Sequence, residues 1–213
     1  MMIHINRKPS TEKLDTEVRR EQLAQAALSL ITTQGLKSLS VARVARRVGL
    51  VPSAVYRHFK SKDELLDAVL ELIRERLNAN IVQASQDATD TLQILRRVVM
   101  AHVRLIRENE GILSVVFSSE VQNGHPERKA LVHSIIEGYR SKVEQIISRG
   151  QRQGQIRPDA DSRTVSMMVL GLIQPAAFLW RLSEGGFDVT QHVEKAWNLL
   201  SEVLRQRDFL VTK

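Results

Sequence analysis

The stretch from Ser38 to Leu65, SLSVARVARRVGLVPSAVYRHFKSKDEL, most narrows what this chain can fold into. Val41, Val44, Ala45 and Val48 fall at the spacing of one buried helical face. Ser40 precedes them as an N-cap, its hydroxyl accepting from a backbone N–H that the first turn leaves unpaired. Gly49 supplies the left-handed conformation that a sharp reversal requires. Ala45 is small, so the next helix can approach closely, and Val55 fills the space between the two. Pro52 opens that next helix where its missing N–H costs nothing, and the helix is expected to run to about Phe59. Ser61 and Glu64 form a capping box that opens a third helix at Lys62. This spacing makes a helix-turn-helix, the motif that lays its second helix in a DNA major groove. The competing reading is an ordinary helical hairpin with a solvated charged face.

Charge decides between the two. Residues 1–62 hold twelve Lys and Arg against four Asp and Glu, whereas the remainder holds nineteen against twenty. The excess positive charge therefore sits with the helix-turn-helix, the footprint expected of a phosphate-backbone partner. An anionic membrane surface would require a large apolar face that this segment lacks. No secretion signal is visible in residues 1–10, and the most apolar window, residues 165–180, falls short of the ~20 residues of a membrane span. A cytoplasmic protein without membrane association is expected. The absence of cysteine removes disulfides and thiolate metal sites. There is no nucleophile elbow, phosphate-cradling glycine loop or dinucleotide fingerprint, and the six histidines show no metal-ligand spacing. No enzymatic activity, cofactor or metal is expected.

Along the chain, residues 1–16 read as a mobile arm; Arg7 and Lys8 can reach phosphate or a minor groove, and the competing reading is a tail that is merely disordered. Residues 17–62 form the helix-turn-helix head, with a first helix over 17–34 stopped by Gly35. Residues 63–84 form a connecting helix. The polar run at 78–91 marks the boundary to a larger helical domain over 85–213. The later helices are predicted at 92–109, 127–153 (ended near Gly150 or Gly154), 162–183 and 190–207, with a short apolar segment at 112–117. The expected fold is all-α, a three-helix head plus a larger helical domain, about nine helices in total. The last two helices are apolar enough for an internal core or a two-fold interface.

The residues SVARVARRVGLVPSAVYRHFKSKDELL resemble the tetracycline-repressor (TetR) family of bacterial transcription regulators. The Gly49-Leu50 turn, Tyr56, His58-Phe59 and Lys62-Asp63-Glu64-Leu65 carry the likeness, with Ala26-Ala27, Gly35 and Ser40-Val41 in support. The match covers about residues 17–70. Val51 stands where the family usually has a small polar cap, and Ala42 where many members have a DNA-contacting residue. The resemblance implies a homodimer joined through the helices at 162–183 and 190–207. Two heads about 34 Å apart would then read a palindromic operator. It also implies a small-molecule effector in the second domain.

Arg57 is the candidate base contact, since a guanidinium grips guanine O6 and N7. Ser53 suits a base edge or a phosphate. Ser40, Tyr56, His58 and Lys62 are assigned to phosphate by matching family positions, and Arg43, with Arg46 and Arg47, adds backbone charge. For the effector, the candidates are His102, Phe117, His133, Tyr139, Gln174 and Trp180. They point to a mainly apolar ligand with one or two hydrogen bonds. The expected function is a sequence-specific repressor released by such a ligand. The alternatives are an architectural or cell-division factor of the same fold without an inducer, and a regulator controlled by a protein partner.

Overall fold

The computed structural model describes residues 11–205. Among them are nine α-helices: α1 Thr11–Gln34, α2 Val41–Arg47, α3 Pro52–Tyr56, α4 Lys62–Ala84, α5 Thr91–Glu108, α6 Gly111–Val116, α7 Pro126–Arg152, α8 Ser162–Leu182 and α9 Val189–Leu204. A 3-10 turn at Leu36–Ser38 and a π-helical turn at Glu120–Gly124 complete them. No strand occurs among the described residues, only an isolated antiparallel bridge between Ile156 and Arg205. Arg7 and Lys8, and the expected end of the last helix at Arg207, lie outside the described residues. Residues 11–16, assigned to the arm from sequence, are helical.

Short-range chemistry sets most helix starts. The Ser40 hydroxyl accepts from Arg43 N at 3.3 Å, and that of Ser61 accepts from Glu64 N at 3.1 Å. The Glu64 carboxylate returns to Lys60 N at 2.8 Å. Asp90, Asp161 and Asp188 cap α5, α8 and α9 in the same way. Gly49 takes φ +70°, and Leu50 N donates back to Ala45 O at 2.9 Å, closing the turn between α2 and α3. Gly150 does not end α7; the chain passes through it and turns at Gly154, whose φ is +69°.

Buried apolar residues form one contiguous core from α1 to α9. α4 belongs to both parts of it. Leu65 and Leu66 close the head with Val55 and Phe59, while Leu70, Ile73 and Leu77 continue into the body. α4 runs unbroken through residues 78–84 with Ile81 and Ala84 buried, so the polar composition there does not interrupt packing. α1 reaches past the head to pack on α6, and α8 lies against α5, α7 and α9.

α8 continues through Pro175 without a break in the helix. At 21 residues, with an 18-residue stretch of mean hydropathy 1.5, it is by length and composition alone long and apolar enough to cross a membrane. That corrects the expectation that its apolar window falls short of a span. Its buried face, from Val165 through Val169 and Ile173 to Ala177, packs in the core. Met167, Met168, Phe178, Leu179 and Leu182 are exposed.

Candidate nucleic-acid interface and internal cavity

The head presents its polar residues around a short second helix. α3 ends at Tyr56 and not at Phe59, because Phe59 turns inward and is fully buried. Ser53, Tyr56 and Arg57 are exposed, Tyr56 by 53%. His58 is only half-buried in the turn that follows, which corrects its expected outward placement on the helix. Burial lowers its pKa, and the guanidiniums of Arg20, Arg57 and Arg19 lower it further. The same three guanidiniums make the surroundings of this turn positive, a setting that attracts a phosphate.

Arg20 was not singled out by sequence reasoning, although it lies in the basic segment. Its guanidinium carbon sits 4.3 Å from the centroid of the Phe59 ring, and its Nη1 donates to the His58 carbonyl. α1 thus holds the turn after α3. Arg43 is exposed and donates to Gln34 Oε1 at 3.3 Å, and Arg47 donates to Ser29 Oγ at 2.7 Å. Ser40 is occupied as the α2 cap, and Lys62 is half-buried in the first turn of α4.

Beneath the head, α4 to α8 enclose a cavity of about 70 Å³. His102, Phe117, Tyr139 and Gln174 line it; His133 and Trp180 do not. On α7 the cavity face is Val132, Ile135, Ile136 and Tyr139, at helical spacing, and His133 falls on the exposed side. Trp180 lies six residues beyond Gln174 on α8, roughly 9 Å further along the axis at 1.5 Å per residue. By sequence the apolar residues of 92–117, 131–147 and 165–180 suffice equally for a pocket or a solid core; Leu70, Ile73 and Leu77 of α4, outside those ranges, form one wall of the cavity.

His102 and Tyr139 meet edge to face at 5.2 Å between ring centroids and 87° between planes. His102 Nδ1 and the Tyr139 hydroxyl are both buried without a hydrogen-bond partner among the described residues. Burial alone lowers the His102 pKa to about 4 and raises that of Tyr139, so both are neutral near pH 7.

A second tie joins body to head. Arg128, in the first turn of α7 and 4% exposed, donates from Nε to Asp67 Oδ1 at 2.7 Å and from Nη2 to Asp63 Oδ1 at 2.9 Å. Both carboxylates lie in the first turns of α4, beside Lys62. No group of acidic, histidine or cysteine side chains among the described residues is arranged to hold a metal.

Comparison with known proteins extends this picture along the chain. A model described as bacterial regulatory proteins of the tetR family matches residues 23–69, and one for the C-terminal region of YsiA-like proteins matches residues 66–203. The nucleoid occlusion factor SlmA of Vibrio campbellii is 25% identical over 189 residues, covering 88% of this chain and 96% of that protein. Among solved structures, the fatty acid degradation regulator FadR from Bacillus halodurans aligns with a TM-score of 0.74 at 21% identity, covering 94% of this chain and 100% of that one. FadR from Bacillus subtilis, solved with stearoyl-CoA, aligns with a TM-score of 0.71 at 21% identity, covering 86% and 98%. With two family models that together span residues 23–203, the second of them over more than half its length, the chain belongs to the TetR family of bacterial regulatory proteins.

Proposed function

We propose that this regulator is a homodimeric repressor. It binds a palindromic operator through Ser53, Tyr56 and Arg57, and a small, mainly apolar ligand in the α4–α8 cavity releases it. The observation that carries the reading is the double role of α4, whose first turns complete the head and whose middle walls the cavity. A ligand that displaces Leu70, Ile73 or Leu77 acts on the helix that packs against α1, which in turn seats α2 and, through it, α3. The Arg128 clamp ties the cavity-lining α7 to that element as well. Dimerisation through α8 and α9 sets two heads at a defined spacing, so small rotations of α4 change the fit to two half-sites. The protein is assigned to the cytoplasm, at the nucleoid when bound to DNA, with no catalytic role.

Likeness to a nucleoid occlusion factor over 88% of the chain supports a second reading, a DNA-bound factor without an inducer. Selection from a random duplex library at two salt concentrations tests the DNA half. An enriched inverted repeat supports the repressor; binding with no enriched sequence that collapses with salt overturns it. Release of that selected duplex by a small molecule then excludes the second reading.

A further inference from the structure

The chemistry of the cavity wall narrows the ligand further than its shape does. Among the described residues, no lysine, arginine, aspartate or glutamate lines it. Outside its aliphatic wall and Phe117, it offers His102, Tyr139 and Gln174. His102 Nδ1 and the Tyr139 hydroxyl are the unpaired polar atoms, carried by two rings in contact. Unpaired polar groups in an apolar core are costly, and a ligand that pairs with them regains what burial took away. A carboxylate or ammonium group entering this space would shed its hydration and meet no opposite charge.

A hydroxyl both donates and accepts, so it pairs with Tyr139, and with His102 in either tautomer of the imidazole. A carbonyl oxygen only accepts, and a hydrocarbon does neither. Size adds a limit. The volume is about 70 Å³, where one water takes roughly 10–15 Å³. A cavity of about 150 Å³ is what takes one benzene ring, so this one admits a short alcohol directly and a single ring only with the exposed Phe117 side chain on its wall displaced.

We infer that the cavity is a site for a small uncharged hydroxyl compound, a phenol or short alcohol, held by His102 and Tyr139 and closed to acids and amines of the same skeleton. This deepens the effector reading above and rests on it for its regulatory meaning. The class differs from the acyl-CoA bound by the Bacillus subtilis regulator of similar fold.

The test uses the full-length chain at neutral pH and three matched probes: 4-ethylphenol, ethylbenzene and 4-ethylbenzoate. Ligand-observed NMR titration ranks their affinities in the absence of DNA. The phenol is expected to bind about tenfold more tightly than ethylbenzene, one hydrogen-bonded group's worth, with the benzoate weakest. In Tyr139→Phe the phenol's advantage falls away while ethylbenzene binds as before, which also shows that the variant is folded; His102→Leu reduces the advantage independently. The site assignment is overturned if the benzoate matches the phenol, if the advantage survives in both variants, or if no probe binds. Fluorescence anisotropy on the selected operator then separates the two readings. The expected ranking with no loss of DNA affinity upholds the site and overturns the inducer reading. DNA release by an anionic compound, with no phenol binding, overturns the site and leaves the inducer reading in place.

Discussion

His102 couples the cavity to pH. Burial lowers its pKa from 6.5 to about 4 in the folded protein, so the unfolded chain takes up a proton first as pH falls. Stability is therefore held above pH 6.5 and lost progressively towards pH 4. A shift of this size corresponds to about 3 kcal/mol. Urea midpoints measured across this window should fall for the parent and stay flatter for His102→Leu; parallel curves would absolve His102. At the other end of the molecule, Arg57 is exposed at the C-terminus of α3. Arg57→Ala is expected to cost about 1–3 kcal/mol of operator binding and to relax preference at one base pair. Equal weakening on every sequence would make Arg57 a phosphate contact. His58 and Arg20 show what separates a matched position from its role: one lies half-buried in a turn, the other reaches that turn from α1.

At the scale of elements, α1 and α6 meet closely enough to leave no room for a side chain. A Cβ on Gly111 would lie 2.6 Å from Thr32 Oγ1 and 3.0 Å from Thr32 N. Gly111 N also donates to that Thr32 hydroxyl at 3.0 Å. Gly111→Ala must push α6 from α1, and overpacking of this kind costs about 1–3 kcal/mol. Chemical denaturation measures it, and a variant as stable as the parent would show that the two helices separate freely. Because α6 also lines the cavity, the contact would give the proposed ligand a second route to the head. The first proposed route is α4, whose N-terminal turns Arg128 holds. Removing Arg128, the buried partner, leaves Asp63 and Asp67 free to rehydrate, since they are about half exposed. Its effect is therefore expected on coupling more than on folding.

At the scale of the whole molecule, large exposed apolar side chains among the described residues gather on the last two helices. Phe178, Leu179 and Leu182 on α8, with Leu199 and Val203 on α9, are each at least half exposed, Leu199 by 68%. Exposed apolar area concentrated on two adjacent helices marks an interaction site, and a second copy of the chain is the proposed occupant. Leu199→Glu places a charge in that face, so sedimentation should report single chains and operator affinity should drop steeply as the second half-site is lost. A variant that still sediments as two chains would move the interface elsewhere. The same face explains the composition of α8, whose inner side serves the core while its outer side stays apolar.

The helix-turn-helix was legible because its determinants are local. The caps at Ser40 and Ser61, the positive-φ Gly49 and the Val55 plug act over a few residues, so their spacing alone specifies the turn. Helical periodicity likewise determined which stripes are apolar, and the uneven charge located the head. The site was legible only in part. Periodicity says that a face is buried, not what it is buried against. Tertiary packing of five helices drawn from residues 70–174 decided that His102 and Tyr139 meet at a cavity while His133 and Trp180 stay outside it. The same packing made α4 both part of the head and a wall of the cavity, a property of contacts far apart in the chain that no local pattern encodes.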